Sequence, residues 1–195
     1  MGREVSRINR QTQNRNKTRM LTVTALLLAM NIIMSMSVLS IPVPGGHMYL
    51  NDVIICLAAF LLDPLHAFIV GGVGAFIGDF LFYPAPMFVS LVTHGLQAVV
   101  VSLCSRRLFG RKHNVAAAVV GSVLGLIITV AGYTFGRAFI YSTPAYAVLK
   151  LPFQFLQTAV GSAIAIFLCF GCGVRKMFLR QFPEAEPMEN VQKEK

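Results

Sequence analysis

Six apolar runs follow one another along the chain, separated by short segments that contain proline, glycine or clustered basic residues. The runs cover about 20–40, 49–62, 64–82, 87–104, 115–140 and 152–173. A helix that crosses a hydrocarbon core of about 30 Å needs roughly 20 predominantly apolar residues. Membrane β-strands would alternate with a period of two, whereas these runs are continuously apolar. The pattern therefore predicts an all-α integral membrane protein with six transmembrane helices.

Proline marks the places where the predicted helices begin and end. Asp63 followed by Pro64 suits an N-cap and a first helical turn, so the third helix is expected to begin there. The segments 41–47 and 83–86, which are rich in proline, are expected to be outer turns. Residues 142–144 are interpreted as the start of a loop, and Pro152 as the start of the sixth helix.

The distribution of charge supports this count of helices. Charged residues make up 13% of the chain, against roughly 25% in soluble domains. With the N-terminus inside, the inner segments hold 15 of the 17 Lys and Arg residues, the exceptions being Arg137 and Lys150. Because cytoplasmic loops are rich in Lys and Arg, both termini are predicted to be cytoplasmic. The basic clusters lack any nucleic-acid-binding signature, so the predicted partner is the lipid bilayer.

Three segments of different composition follow from the runs and the charges. Residues 1–19 are predicted to form a basic cytoplasmic arm, and residues 20–174 a six-helix membrane domain with an outward-facing binding pocket. Residues 175–195 are predicted to form a cytoplasmic tail, which is expected to be disordered because of its acidic, proline-containing end.

Polar side chains lie within the predicted helices, although an ionisable group near the bilayer centre costs at least about 2.5–3.5 kcal/mol. They fall in the outer half, and several share a helix face by their i, i+4, i+7 spacing. A pore would need polar residues throughout, so the pattern predicts a cup that holds a small polar molecule. The predicted substrate-binding residues are His47, Tyr49, Asn51, Asp52, Asp79, His94, Gln97, Tyr133, Arg137, Lys150, Gln154 and Gln157.

Other roles remain open for several of these residues. Arg137 and Lys150 lie near helix ends, from which long side chains reach the headgroups. Asp52 or Asp79 is also suited to a structural pair with Arg137, and His94 to an interhelical hydrogen bond. No cofactor and no metal site is predicted. The aromatic rings of Tyr49, Tyr133, Tyr141 and Phe153 are expected to supply stacking surfaces near the outer end.

A glycine-rich run from Gly71 to Gly78 lies in the third predicted helix. It resembles a phosphate loop only superficially, since no strand precedes it and no Lys-Ser/Thr follows. Its small residues are spaced four apart, which allows helices to approach closely. The run is therefore predicted to be a helix-packing surface.

An ordered series of motifs resembles the substrate-binding S components of energy-coupling factor (ECF) vitamin transporters. The first helix carries Ala25-Leu-Leu-Leu-Ala29, and an outer loop with proline and glycine leads into Tyr49-Leu-Asn-Asp52. The glycine-rich run ends at Asp79, a His-Gly pair follows, and Leu151-Pro-Phe-Gln-Phe-Leu-Gln157 completes the series. The similarity extends from about Thr18 to Lys176. It is greatest to the branch associated with pyridoxine, hydroxymethylpyrimidine and pantothenate.

This resemblance implies a role in vitamin uptake across a prokaryotic plasma membrane. The protein would capture a vitamin from outside and topple against a transmembrane coupling subunit that is driven by two ATPase subunits. Ala25 and Ala29 would contact the coupling subunit. The acids and bases of the predicted site sum to zero charge, which favours a neutral ring such as pyridoxine or hydroxymethylpyrimidine over the carboxylate of pantothenate.

Two other function classes remain open at this point. The chain carries no ATPase motif and is not predicted to be an enzyme. An intramembrane enzyme that uses Asp79, Asp52 or His94 is one alternative, although protease signatures are absent. A self-sufficient carrier is the other, although no convincing internal repeat is present.

Overall fold

The computed structural model describes residues 2–36, 40–44, 46–107 and 114–182. In the N-terminal half, a long helix is followed by a short antiparallel hairpin and by two segments that pack against each other. These elements are α1 (Gly2–Met34), β1 (Ile41–Val43), β2 (Gly46–Met48), α2 (Asn51–Leu61), α3 (Pro64–Phe68) and α4 (Gly74–Phe82). A π-helical turn, Ile69–Val73, joins α3 to α4 into one continuous helical segment.

The C-terminal half consists of three long helices and a short terminal one. They are α5 (Met87–Arg107), α6 (Asn114–Gly136), α7 (Pro144–Ile166) and α8 (Val174–Gln181). Single π-helical turns, Arg137–Tyr141 and Phe167–Gly171, extend α6 and α7. Gly173 takes a positive φ of 74°, which glycine adopts without steric cost, and thereby separates α8 from the end of α7.

Five segments of the described chain are long and apolar enough to cross a membrane. They are Asn16–Met34, Pro64–Phe82, Met87–Arg106, Val115–Tyr141 and Pro144–Gly171. The sixth predicted helix, α2, has 11 residues and is therefore only about 16 Å long at 1.5 Å per residue. The prediction of a mostly helical membrane protein is confirmed. The count of six spans and the cytoplasmic termini stay predictions.

The short helix α2 lies in the centre of the bundle, where it packs against α5 and α7. Its residues Ile55, Ala58 and Ala59 are completely buried. Phe178, within α8, and Phe182, directly after it, belong to the same apolar cluster. The bundle is therefore filled by apolar side chains around α2 from Ile54 to its C-terminal end, and α8 contributes to this core.

Three sequence-based boundaries differ from the structure. The last long helix begins at Pro144 and contains Pro152 in its interior. Its start is marked by Thr143, whose side chain accepts a hydrogen bond from the Tyr146 amide at 3.4 Å, so a cap followed by proline begins this helix as Asp63 and Pro64 begin α3. Helices in a membrane tolerate an interior proline because neighbouring groups satisfy the freed carbonyl. The prediction that Pro152 starts the helix was therefore wrong.

The other two differences concern the first outer turn and the C-terminal segment. The turn contains an antiparallel hairpin in which Pro42 pairs with His47, so the fold is not purely helical. The predicted tail begins with the ordered helix α8, and residues 183–195, where disorder was predicted from composition, lie outside the described residues. The basic arm, residues 1–19, is helical from Gly2 onward.

At the C-terminal end of α2, the turn before α3 is fixed by side-chain hydrogen bonds. Asp63 accepts one from the His66 backbone amide at 2.9 Å, and the His66 ring nitrogen Nδ1 lies 2.7 Å from both carboxylate oxygens. Burial raises the pKa of Asp63, but the hydrogen bonds and the charge of His66 outweigh it, so the pKa is lowered overall. The Leu62 carbonyl accepts hydrogen bonds from Ser102 and Arg106.

The glycine-rich run brings three helices into close contact. A Cβ added to Gly72 would lie 2.8 Å from the Leu91 carbonyl oxygen and 3.0 Å from the Gly95 Cα on α5. A Cβ on Gly78 would lie 2.6 Å from the Ser35 Cβ after α1. The structure therefore agrees with the interpretation of this run as a packing surface.

We expect Gly72→Ala to destabilise the fold, because its added Cβ meets backbone atoms that cannot rotate away. Overpacking of this kind costs typically about 1–3 kcal/mol. The measurement is thermal unfolding of the purified protein in detergent. Gly171→Ala is the matched control, since its Cβ meets only the ring of Phe167, which is exposed and free to move. Equal unfolding temperatures for the two variants would contradict the tight packing of the π-helical turn Ile69–Val73 on α5.

Candidate functional site

A cavity of about 350 Å³ lies at the end of the bundle that carries the β-hairpin. It is lined by side chains from the ends of α1, α4 and α6, from the starts of α2, α5 and α7, and from the hairpin. Ten of the twelve predicted binding residues line it, namely His47, Tyr49, Asn51, Asp79, His94, Tyr133, Arg137, Lys150, Gln154 and Gln157. The predicted clustering of these residues is therefore seen in the structure, while their role in binding stays a prediction.

The other two predicted residues, Asp52 and Gln97, do not line the cavity, although both are completely buried. Gln97 Nε2 donates a hydrogen bond of 3.0 Å to Asp52 Oδ1, and Gln157 Nε2 donates one of 2.9 Å to Oδ2. Asp52 is thus held by two amides and lies behind the residues that face the cavity. Its placement in direct contact with a ligand, as the sequence suggested, is not supported.

Asp79 forms an acidic side of the cavity. The Ser90 hydroxyl donates a hydrogen bond to Asp79 Oδ2, and the Tyr133 hydroxyl lies 2.5 Å from Ser90 Oγ. Because the single hydroxyl hydrogen of Ser90 points to the carboxylate, the Tyr133 hydroxyl donates to Ser90. Side chains from α4, α5 and α6 therefore hold this carboxylate in one orientation.

Arg137 and Lys150 form a basic side of the cavity. Arg137 Nη2 donates a hydrogen bond of 3.0 Å to Gln154 Oε1, and its guanidinium carbon lies 5.3 Å from the centre of the Tyr133 ring. Lys150 is 2% exposed, and its ammonium donates a hydrogen bond of 2.6 Å to the His47 carbonyl. Both side chains are thus buried inside the bundle instead of extending along its lipid-facing surface.

One donor of this basic side has no partner. Arg137 is 9% exposed, and its Nη1 is buried without a hydrogen bond to any described residue. An unpaired buried donor costs roughly 1–3 kcal/mol and more when it is charged. A ligand that places an oxygen acceptor beside Nη1 would remove this cost.

The hairpin is fastened to α7 at two points beside the cavity. Lys150 binds the His47 carbonyl, and the Tyr49 backbone amide donates a hydrogen bond of 3.1 Å to Gln157 Oε1. The phenolic hydroxyl of a tyrosine is protonated at neutral pH. The Tyr49 hydroxyl therefore stays protonated and keeps its hydrogen for donation.

Several cavity residues were not selected from the sequence as binding residues. They are Ser35, Ala75, Phe82, Tyr83, Pro86, Tyr141, Ser142 and Tyr146. Tyr83 and Pro86 lie in the proline-rich turn that follows α4, and Tyr141 and Tyr146 flank residues 142–144. Their positions next to the predicted outer turns were therefore the available signal. Of the predicted stacking rings, Phe153 does not line the cavity.

The cavity residues are suited to hydrogen bonding and ring stacking. Within the part of the chain that the structure describes, no three His, Cys, Asp or Glu side chains are grouped so that they could hold a metal ion. The lining combines the Asp79 carboxylate, the donors of Arg137 and Lys150, and several tyrosine rings. This arrangement suits a flat polar molecule with hydrogen-bonding groups of both kinds.

Comparisons with known proteins give one family and one fold. A family model described as "ECF-type riboflavin transporter, S component" matches residues 15–172. A protein of Pyrococcus woesei, described as "Uncharacterized protein in gap 3'region", is 33% identical over 126 residues, or 64% of this chain and 82% of that protein. A solved structure described as "Structure and mechanism of the S component of a bacterial ECF transporter" has a TM-score of 0.62 and 17% identity, and the match covers 80% of this chain and 96% of that chain.

Proposed function

The chain belongs to the S-component family of ECF-type transporters, and we propose that it captures a vitamin from outside the cell for import. S components are the substrate-binding membrane subunits of these transporters and are not enzymes; they act with a transmembrane coupling subunit and ATPases. This membership disfavours the intramembrane enzyme and the self-sufficient carrier. The proposed location is the plasma membrane of a prokaryote.

The cavity with its two polar sides is the observation that carries this proposal. Its walls come from most of the helices and from the hairpin. The bundle around the C-terminal part of α2 is filled with apolar side chains. A site of this shape holds a molecule but offers no polar path through the membrane. Delivery by toppling against the coupling subunit would account for transport without such a path.

The chemistry of the cavity suggests a ring-bearing substrate. Asp79 accepts hydrogen bonds, Arg137 Nη1 and Lys150 donate them, and the rings of Tyr133 and Tyr141 supply flat apolar surfaces. A volume of about 350 Å³ lies at the lower end of the range of about 300–1,000 Å³ found for ligand pockets.

We therefore rank riboflavin first, because the family model names it and its ring system with a hydroxylated side chain carries donors and acceptors. Pyridoxine and hydroxymethylpyrimidine rank next, and pantothenate is the alternative that would place a carboxylate at Arg137. Titration calorimetry of the purified protein with these four compounds tests the ranking. Tight binding of pantothenate alone would overturn it, and binding of none would count against the proposed function itself.

The proposed topology has six spans with both termini in the cytoplasm, as the distribution of Lys and Arg indicates. We expect single cysteines at positions within 43–46 to react with a membrane-impermeant reagent from outside, and those within 108–113 only from inside. The four native cysteines are first replaced by serine. Labelling of both sets from the same side would refute the six-span topology.

One face of α1 is proposed to dock on the coupling subunit. Thr24 and Leu27 are buried against the bundle, and Asn31 Nδ2 donates a hydrogen bond of 2.7 Å to the Val70 carbonyl. Ala25 and Ala29 lie on the exposed side of the same helix. Small residues four apart allow a partner helix to approach closely, so this side is suited to a helix of another subunit.

A further inference from the structure

A buried carboxylate behind the cavity wall fixes the orientation of two side-chain amides. Asp52 is completely buried, and its two oxygens accept hydrogen bonds from Gln97 Nε2 and Gln157 Nε2. A carboxylate can only accept hydrogen bonds. Both amide nitrogens must therefore face Asp52, and both amide oxygens must point away from it.

The Gln97 amide transmits this constraint to His94. Gln97 Oε1 lies 2.7 Å from His94 Nδ1, and because an amide oxygen can only accept, Nδ1 has to carry a hydrogen. A neutral imidazole carries only one ring hydrogen, so Nε2 then keeps a free lone pair. No hydrogen bond from a described residue uses Nε2, and the ring lines the cavity.

The surroundings of His94 favour its neutral imidazole. The side chain is 2% exposed, and burying a charged group is costly unless it is paired and hydrogen-bonded. Asp52 Oδ1 lies 4.0 Å from His94 Nδ1, beyond hydrogen-bond distance, and both Asp52 oxygens already accept hydrogen bonds from amides. The Tyr133 ring, which meets the His94 ring edge-on at 5.3 Å, adds no charge.

We propose that Asp52, acting through Gln97, makes His94 Nε2 a hydrogen-bond acceptor that selects substrates with an N–H or O–H donor at this point. The inference rests on the proposed function, because it specifies which group the captured substrate presents. Asp52 and Gln97 are positioning residues, and His94 is the residue that contacts the substrate. The substrate thus offers donors to His94 and Asp79 and an acceptor to Arg137.

The protonation of His94 can be measured without any substrate. The full chain, labelled with ¹⁵N in its histidine rings and placed in lipid nanodiscs, is studied by NMR. The His94 signals are those that disappear in His94→Gln. We expect a protonated Nδ1 and an unprotonated Nε2. A proton on Nε2, with or without one on Nδ1, would overturn the proposal.

Two matched variants test the transmission through Gln97. Gln97→Met removes the acceptor of Nδ1, so the Nε2-protonated form of His94 should appear, as it does in free histidine. Gln157→Met also removes one amide from Asp52 but leaves Gln97 in place, so Nδ1 should stay protonated. A pure Nδ1-protonated form in Gln97→Met, or equal changes in both variants, would contradict the transmission. Thermal unfolding of both variants verifies that they are folded.

Riboflavin titration connects the tautomer to substrate selection. Gln97→Met should weaken riboflavin binding roughly tenfold or more, the scale of one lost or mismatched buried hydrogen bond, although Gln97 does not line the cavity. Unchanged affinity with a changed tautomer would overturn the selective role of His94. Absence of riboflavin binding by the unmodified protein would count against the proposed substrate, while the NMR result would still decide the state of His94.

Discussion

Replacing Ala25 or Ala29 with tryptophan is expected to abolish vitamin uptake by the assembled transporter while leaving substrate binding by the isolated protein largely intact. Both alanines are exposed on α1, and neither lines the cavity. A tryptophan there would hold a partner helix away from the close contact that small residues permit. The two effects should therefore separate, with assembly lost and binding kept.

The measurement combines uptake in cells, co-purification with the coupling and ATPase subunits, and calorimetry on the purified chain. Ala116→Trp is the matched control, because it places the same side chain at an exposed alanine of α6. It should leave both assembly and binding unchanged. A loss of substrate binding in Ala25→Trp as large as its loss of assembly would mean that the position supports the fold. Normal assembly in Ala25→Trp and Ala29→Trp would exclude this face of α1 as the docking surface.

Local signals in the sequence predicted the start of α3 correctly but not that of α7, where Thr143 and Pro144 form the same kind of cap before an apolar run. Asp63 and Pro64 begin α3 as expected, because the cap hydrogen bond to His66 requires only neighbouring residues. Pro152 was misinterpreted because its effect depends on contacts with residues that are distant in sequence. Whether a proline starts a helix or lies inside it depends on neighbouring helices that accommodate the freed carbonyl. The sequence around Pro152 does not contain that information.

Which side chains reach the cavity also depends on contacts between residues that are distant in sequence. Helical spacing placed His94 and Gln97 on one face of α5, and both are indeed buried among polar partners. Spacing could not show that only His94 reaches the cavity while Gln97 binds Asp52 behind it, since this depends on the depth and packing of α2. The aromatic residues Tyr83 and Tyr146 were missed because they line the cavity from the turn after α4 and from the start of α7, where helical spacing of polar residues gives no signal.

Arg137→Gln is expected to weaken substrate binding by about 1.5–3 kcal/mol, the scale of a hydrogen bond to a charged group. The structure gives the reason, since Nη1 is a buried donor without a partner among the described residues and the guanidinium lies beside the cavity. A substrate acceptor that pairs with Nη1 removes an existing cost, and this gain is lost when the guanidinium is absent. Calorimetry with riboflavin and pantothenate measures the loss.

Arg137→Lys distinguishes the two kinds of acceptor. Lysine keeps the charge but loses the planar fork that binds a carboxylate through two parallel hydrogen bonds. If the substrate presents a single carbonyl oxygen, as the flavin ring does, the lysine variant should retain more affinity than Arg137→Gln. If pantothenate binds through a bidentate carboxylate, the lysine variant should lose nearly as much. Arg180→Gln, an exposed arginine of α8, is the matched control and should bind as the unmodified protein does. Unchanged affinity in Arg137→Gln, with the fold intact, would remove Arg137 from the proposed site and leave Lys150 as its only candidate cation among the described residues that line the cavity.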